Sequence, residues 1–293
     1  MPEPRRFRVL VATDGSEHAR AAITTALAFP WPPGTAARAV IAQRSLWSRG
    51  RPQYVRDALT RHLDRTAARA RRALRRRWPN ADVALLDAPP VQAIVGEARR
   101  FGAKTIVLGR RGHGPVARLL MGSVSRGVVR SASCPVLVVR HRRDIRAVVV
   151  GLDGSSNARE AARLLTRLRP RRGTRSVLVQ VVEPVAVPTA GLLPGAVRSV
   201  IRDEIRKITA ERIRVGGREL RTLAPRLRRA GWTVRTQVLL DSPLRGLLGA
   251  VRKSRADLLC VGARGIGGVE RLLLGSVAEG ALSHCPVGVL IVR

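Results

Sequence analysis

One glycine spacing occurs twice in this chain and constrains its fold more than any other feature. The spacing Gly-x2-Gly-x9-Gly-Ser is formed by Gly109, Gly112, Gly122 and Ser123, and again by Gly262, Gly265, Gly275 and Ser276. Each copy follows a short apolar run and precedes a helical pattern and a second apolar run, and the copies lie 153 residues apart. Self-similarity of this period is typical of tandem domains rather than of a solenoid, so we predict a duplication.

A second repeated motif extends the duplication toward the N-terminus. The segments 9–16 and 148–155 are both apolar runs that end in Asp-Gly-Ser, and they lie 139 residues apart. Because this offset is 14 residues shorter than 153, the second half must carry an insertion, which we place around 183–195 and in the helix after it. A length of 293 residues favours about two domains, and we set their bounds at 1–142 and 143–293.

Short apolar segments alternate with helical patterns in each half. In the first half the predicted strands are 7–12, 39–42, 83–86, 105–108 and 136–139, and a long amphipathic helix is predicted over 53–78. Such alternation indicates a parallel sheet covered on both faces, and right-handed crossovers restrict it to a doubly wound α/β fold. Ligands of these sheets bind beyond the carboxyl ends of the strands, where the strand order reverses. Asp14 and Gly109 follow the first and fourth strands, so we expect both at one crevice.

The glycine motif has the chemistry of an anion site. Glycines at 109 and 112 permit positive φ and a close approach of the backbone. Gly122 and Ser123 open a helix, whose first N–H groups and positive dipole end favour an anion, and Ser125 can add a second hydroxyl donor. Two structural interpretations stay open beside this one. The glycines could form only a tight turn, and Asp14 could serve only to cap the helix that follows it.

Taken together, these motifs resemble the universal stress protein family over essentially the whole chain, as two tandem domains. The resemblance rests on V-x-x-D-G-S in the first strand, the glycine spacing after the fourth, and C-P-V-L-V-V-R at 134–140. It implies, for each domain, a five-stranded parallel sheet of order 3-2-1-4-5 with helices on both faces. It also implies that ATP, with magnesium, binds with its adenosine near Asp14 or Asp153 and its phosphates on the glycine loop.

The resemblance assigns a set of binding residues to each domain. They are Asp14, Ala42, Gly109, Gly112, Gly122, Ser123, Val124 and Ser125 in the first domain, and Asp153, Val181, Gly262, Gly265, Gly275, Ser276 and Val277 in the second. Ala42 and Val181 lie near the positions at which the family's second strand contacts adenine through its backbone. Domains of the family commonly pair through their last strands. Such a pairing could form inside this chain, through 136–139 and 289–292, or between two chains in a homodimer.

The two copies of the motif differ at one hydroxyl. Ser125 in the first copy corresponds to Ala278 in the second. A hydrogen bond to a charged group contributes about 1.5–3 kcal/mol. We therefore expect both domains to bind ATP, and the first domain to bind it more tightly.

Catalysis and metal binding have no recognisable motif. We see no nucleophile–base–carboxylate arrangement, so we expect a nucleotide-sensing or signalling protein of the stress response rather than an enzyme, although slow ATP hydrolysis is compatible with the motifs. The five histidines show no metal-ligand spacing. The three cysteines show no C-x-x-C spacing, which indicates a reducing cytoplasm. Since no run of about 18 apolar residues is present, we predict no membrane span.

Two other function classes stay open at this point. The first is an interaction module of the same fold that has lost nucleotide binding and works through unknown protein partners. The second is a polyanion binder, because the formal net charge is +35. Aromatic residues are only 3% of the chain, and stacking platforms are usual in nucleic-acid modules, so we expect at most non-specific nucleic-acid binding. The segment 183–195 is interpreted as a lid or partner loop of the second domain.

Overall fold

Strands and helices alternate along the chain in both halves. The computed structural model describes residues 6–43, 52–112, 121–142, 144–185, 195–265 and 274–293. The strands are β1 (Arg8–Ala12), β2 (Ala36–Ala42), β3 (Asp82–Leu86), β4 (Thr105–Gly109), β5 (Val136–Val139), β6 (Ala147–Leu152), β7 (Arg175–Val182), β8 (Thr233–Leu240), β9 (Leu258–Gly262) and β10 (Gly288–Val292). The helices are α1 (Glu17–Ala28), α2 (Gln53–Arg75), α3 (Pro90–Phe101), α4 (Ser123–Ser131), α5 (Ser156–Arg167), α6 (Gly195–Arg229), α7 (Pro243–Ser254) and α8 (Ser276–His284).

All ten strands lie in one sheet. Within each half the neighbouring strands are parallel, in the orders β3-β2-β1-β4-β5 and β8-β7-β6-β9-β10. The predicted order 3-2-1-4-5 and the doubly wound α/β fold are therefore confirmed in both halves. The last strands of the halves, β5 and β10, pair antiparallel, with Val138 opposite Val289 and Leu137 opposite Leu290. This pairing turns two five-stranded sheets into one continuous sheet.

The core consists of two apolar layers, one on each face of this sheet. Helices α1, α2, α5 and α6 contribute to one layer, and α3, α4, α7 and α8 to the other. Side chains alternate between the layers along β4, where Ile106 and Leu108 enter the second layer and Val107 enters the first. Strands that are buried on both faces need apolar residues at every position. This explains the uninterrupted apolar runs in the sequence.

Helix boundaries follow from local chemistry. Helix α3 ends at Gly102, which adopts φ +66° as its C-cap, as the sequence predicts. Helix α2 ends at Arg75 and not at Trp78, because the chain leaves the helix before Pro79 and the residue that precedes a proline disfavours helical backbone. Strand β2 starts three residues earlier than predicted. It can include the charged Arg38 because the guanidinium forms an ion pair with the buried Glu97, with an N–O distance of 2.9 Å.

The insertion in the second half lies mainly in a helix. Helix α6 has 35 residues whereas its counterpart α2 has 23, so 12 additional residues extend the helix. The part of the prediction that placed the insertion in the helix is therefore correct. The predicted lid falls largely on 186–194, which lie outside the described residues. Among the helices of the described part of the chain, none has the length and apolarity needed to cross a bilayer.

The junction between the two halves should be central to stability. Leu290 of β10 is 1% exposed, whereas Leu240 at the end of the edge strand β8 is 54% exposed. We expect Leu290→Ala to lower the free energy of unfolding by about 2–5 kcal/mol, because it leaves a cavity between buried layers. Leu240→Ala is the matched control and should change it by less than about 0.5 kcal/mol. Urea unfolding followed by circular dichroism measures both, and equal midpoints for the two variants would contradict the assignment.

Candidate functional site

A cleft of about 700 Å³ opens at the carboxyl ends of β1, β2 and β4. This is the point where the strand order of the first domain reverses, which is where ligands of doubly wound sheets bind. The predicted residues of the first domain that line it are Asp14, Ala42, Gly109, Gly112, Gly122, Ser123, Val124 and Ser125. The structure thus brings all eight together. The loop 113–120 between them lies outside the described residues.

Two parts of the cleft lining differ in character. Apolar side chains form one part of the lining, here called the apolar end: Ala12, Ala42, Ile94, Leu108 and Met121. The rest of the lining includes the glycine motif and three arginines, Arg111, Arg126 and Arg130. The cleft could therefore accommodate one ligand that carries both a flat apolar group and a highly charged group, each beside the part of the lining that matches it.

Close approach, not unusual backbone torsion, explains the glycines of β4 and the following turn. A Cβ at Gly109 would lie 2.6 Å from the His18 carbonyl carbon and oxygen, and a Cβ at Gly112 would clash with Asp14 Oδ2. The expectation of positive φ at Gly109 and Gly112 is wrong. Positive φ occurs instead at Gly15 and Gly154, both at +82°, in the turns that follow β1 and β6.

Asp14 both shapes a turn and lines the cleft. Its Oδ1 accepts the Ser16 N–H at 3.0 Å, and Ser16 Oγ accepts the Ala19 N–H at 3.2 Å as the N-cap of α1. The N-cap of α1 is thus Ser16 and not Asp14, so the interpretation of Asp14 as the cap of this helix is wrong. The other oxygen, Oδ2, lies against Gly112 at the cleft.

The N-terminus of α4 gives the cleft its positive end. Gly122 is the N-cap, and its N–H donates to the Arg110 carbonyl at 3.0 Å. The first N–H groups of a helix have no partner within the helix, and the helix dipole adds about half a positive charge there. The first turn of α4 contains no acidic residue. An anion at Ser123 and Val124 would therefore meet N–H donors and a favourable field.

Ser125 has a structural partner that the sequence did not predict. Its buried hydroxyl donates to the Gly109 carbonyl at 2.7 Å and so ties α4 to the end of β4. A hydroxyl has one proton to donate. Donation to a phosphate would require Ser125 to give up this hydrogen bond. The replacement of Ser125 by Ala278 is therefore weaker evidence than the sequence suggests that the first domain binds ATP more tightly.

The second domain repeats the backbone geometry of the first. A Cβ at Gly265 would lie 2.6 Å from Asp153 Oδ2, and a Cβ at Gly262 would lie 3.0 Å from the Ala158 N atom. Asp153 Oδ1 accepts the Ser155 N–H at 3.0 Å, as Asp14 does for Ser16. Gly275 is again the N-cap of the last helix, which Ser276 and Val277 begin.

One side chain at the apolar end of the second site is larger. Val181 stands where the first domain has Ala42, and its methyl groups lie 2.8 and 2.9 Å from where a Cβ of Gly246 would be. Leu247 approaches the corresponding point on Gly151 to 3.0 Å, but at the offset of 153 residues it corresponds to Ile94, which is of similar size. Val181 therefore occupies space that Ala42 leaves open in the first domain.

The charge at the second helix N-terminus is also different. At the offset of 153 residues, Glu279 corresponds to Arg126 and Ser283 to Arg130. Glu279 lies in the first turn of α8, so a carboxylate stands where the first site has a guanidinium. Sequence reasoning missed Arg126, Arg130 and Glu279, although the same offset that aligns the glycines would have shown the change of sign.

Arginines cross the junction between the domains. Arg110 donates to the Ser283 carbonyl at 2.7 Å and Arg140 to the Cys285 carbonyl at 2.8 Å, and both acceptors lie at the C-terminal end of α8. Burial and the neighbouring Arg140 lower the pKa of Arg110 to about 10, so this guanidinium remains charged at neutral pH. The negative end of a helix dipole favours such a cation.

Metal-ligating and nucleophilic groups do not cluster in the described part of the chain. There, no three His, Cys, Asp or Glu side chains are placed to hold a metal ion together. Burial raises the pKa of the Cys134 thiol to about 11, which leaves little thiolate at neutral pH, and the thiolate is the nucleophile.

The fold and the cleft define a tandem doubly wound α/β protein in which a helix N-terminus opens onto a partly apolar cleft. The model of the universal stress protein family matches residues 6–140 and again 144–293. The chain therefore belongs to the universal stress protein family.

Relatives in other organisms share part of the sequence. A universal stress protein of Mycobacterium tuberculosis is 33% identical over 205 residues, which are 65% of this chain and 62% of that protein. The match thus spans less than two thirds of that relative. A universal stress protein of Thermus aquaticus is 37% identical over 133 residues, which are 45% of this chain and 97% of that protein.

A solved structure shares the fold across the full length. The universal stress protein from Archaeoglobus fulgidus superposes with a TM-score of 0.69 and 17% identity, covering 99% of each chain. A putative universal stress protein from Pseudomonas aeruginosa gives a TM-score of 0.55 and 14% identity, covering 98% of this chain and 93% of that one. At these identities the likeness concerns the fold.

Gly109 should tolerate no side chain. We expect Gly109→Ala to lower the free energy of unfolding by about 1–3 kcal/mol, because its Cβ would press on the backbone of α1. Gly96→Ala in α3 is the control, since no atom lies within 4 Å of its Cβ position, and there alanine should be neutral or stabilising. Thermal unfolding measures both variants, and an unaltered melting temperature for Gly109→Ala would rule out the close approach.

Proposed function

We propose that the first domain binds ATP as its magnesium complex, and that the protein is a nucleotide-dependent signalling protein of the stress response. One observation carries the proposal. The lining of the cleft of about 700 Å³ combines apolar side chains with an arginine-flanked helix N-terminus, which matches a molecule with a flat base and a polyphosphate chain.

The adenine is assigned to the apolar end. Ala12 and Ala42 end two neighbouring strands there, and Ile94, Leu108 and Met121 surround them. Small residues on the strands leave room for a ring, and branched residues on the surrounding elements can pack against its faces. Pockets of 300–1,000 Å³ with mostly apolar linings are typical of cofactor sites.

The ribose is assigned to Asp14. Its carboxylate lies between the apolar end and the glycine motif, with Oδ2 against Gly112. An acidic residue that accepts a hydrogen bond from a ribose hydroxyl is a recurrent feature of nucleotide sites in doubly wound folds.

The phosphates are assigned to the turn at Gly109–Gly112 and to the N-terminus of α4. Gly122, Ser123 and Val124 present backbone N–H groups, and Arg111 and Arg126 add charge. Magnesium prefers oxygen ligands and usually keeps several waters beside the phosphates and one or two carboxylates. Asp14 fits that requirement as the carboxylate that lines the cleft.

The second domain is proposed to bind ATP more weakly. Val181 narrows its apolar end relative to Ala42, and Glu279 places a carboxylate in the first turn of α8, where the first domain has Arg126. The carboxylate of Glu279 and a phosphate group are both negatively charged, so their repulsion weakens binding. This reasoning keeps the ranking expected from the sequence but bases it on Glu279 rather than on the missing hydroxyl of Ala278.

Binding rather than turnover is the proposed activity. Within the described residues, the cleft lining contains Asp14 as its carboxylate and no histidine or cysteine. A reaction at neutral pH would need a positioned general base or nucleophile.

Three free thiols, of which Cys260 and Cys285 are buried, support a reducing compartment such as the cytoplasm.

Two equivalent aspartates provide a matched test. We expect Asp14→Ala to raise the dissociation constant for Mg-ATP at least about tenfold, through loss of the hydrogen bond to ribose. Asp153→Ala loses the same local bond to a serine N–H but should leave the tighter binding event unchanged. Isothermal titration calorimetry, together with the nucleotide content of the purified protein, measures the effect.

Four outcomes are informative. About one tightly bound ATP per chain that is sensitive only to Asp14→Ala supports the proposal. Tight binding that is lost in Asp153→Ala instead would assign the site to the second domain. Neither bound nucleotide nor heat on titration would favour the interaction module, and DNA binding that persists at physiological salt would favour the polyanion binder.

A further inference from the structure

The cleft of the first domain has one wall residue that is held by the second domain. Arg130 lines the cleft, and its guanidinium forms an ion pair with Glu279 in the first turn of α8. Both side chains are about half exposed. Arg130 of the first site is therefore paired with Glu279, the residue that places a negative charge at the corresponding helix N-terminus of the second domain.

Helix geometry directs Arg130 toward the phosphate end of the cleft. Arg126 and Arg130 are four residues apart and therefore lie on one face of α4. Long side chains on a helix incline toward its N-terminus, which in α4 is the anion-binding end at Ser123. Seven residues separate Ser123 from Arg130, about 10 Å along the helix axis, and the extended arginine side chain covers much of that distance.

The ion pair to Glu279 is weak enough to be exchanged. Exposed pairs of single charges contribute little to stability, whereas a terminal phosphate carries more charge and accepts bidentate hydrogen bonds from a guanidinium. Glu279 is also the acidic residue of its own helix N-terminus, where the dipole of α8 stabilises it without Arg130. A phosphate in the cleft can therefore take Arg130 from Glu279 at little cost.

We propose that Arg130 is a specificity-determining residue that recognises the terminal phosphate of the nucleotide, and that Glu279 of the second domain competes for it. The inference rests on the proposed function of the cleft. In the absence of nucleotide, Glu279 holds Arg130 at the domain junction. When the terminal phosphate is present, Arg130 contacts it and Glu279 is released. The second domain thus sets how strongly the first distinguishes ATP from ligands without that phosphate.

The duplication supports a divided role for the two helices. Ser283 replaces Arg130 in the second domain, and Glu279 replaces Arg126. The pair thus joins a basic residue present in one copy to an acidic residue present in the other. The surrounding junction keeps the two helices in place, since Arg110 contacts the C-terminal end of α8 and Arg293 donates to the Val129 carbonyl of α4 at 2.9 Å.

The test compares three ligands with single and double variants of the full chain. Calorimetric titrations with Mg-ATP, ADP and adenosine are made on the wild type, Arg130→Gln, Glu279→Gln and the double variant. We expect Arg130→Gln to weaken ATP binding about tenfold and to leave adenosine binding unchanged. Glu279→Gln should strengthen ATP binding about two- to fivefold, because it removes the competitor, and the double variant should behave like Arg130→Gln alone.

Arg163→Gln is the matched control for the loss of one positive charge. Arg163 forms an exposed ion pair with Glu160 on α5, away from the cleft, and its substitution should alter none of the three affinities. Equal losses for ATP and adenosine in Arg130→Gln, or weaker ATP binding in Glu279→Gln, would overturn the inference while the proposed function stands. If the wild type binds no adenine ligand, the proposed function and the inference fail together.

Discussion

The antiparallel pairing of β5 with β10 is the interaction on which the rest of the architecture depends. Each strand would otherwise be an exposed sheet edge, whose unpaired N–H and C=O groups invite association with other chains. Their pairing, with Leu137 opposite Leu290, removes both edges and extends each apolar layer through the junction. It also brings α4 and α8 close enough for Arg130 to reach Glu279.

Duplication preserved the backbone of the site and changed its side chains. The close approach of the glycine turn to an aspartate is the same at Gly112 and at Gly265, because any Cβ there would press on the carboxylate. Side chains that point into the cleft carry no such backbone constraint. Val181 stands in place of Ala42, and Glu279 in place of Arg126. The two copies of one fold thereby differ in local charge at the N-terminus of their last helix.

Arginine serves several separate physical purposes in this strongly basic chain. Arg110, Arg140 and Arg293 donate to carbonyls at the ends of helices in the opposite domain, where the helix dipole favours a cation. Arg111 and Arg126 line the cleft. The net charge of +35 is therefore not spread evenly over a solvated surface, since part of it is used at the domain junction and at the candidate site.

The doubly wound fold and the positions of Asp14, Gly109 and Gly122 could be predicted from the residues themselves, because local periodicity and glycine spacing record backbone requirements. The order of the strands was implied by the resemblance to the universal stress protein family. The role of Ser125 could not, since its hydroxyl bonds to the Gly109 carbonyl, 16 residues away. Nor could the pair of Arg130 with Glu279, which joins residues 149 positions apart. The sequence by itself determined the backbone frame and the location of the cleft, whereas only the tertiary structure decided which side chains contact one another around it, because such contacts depend on how elements that are distant in the sequence pack.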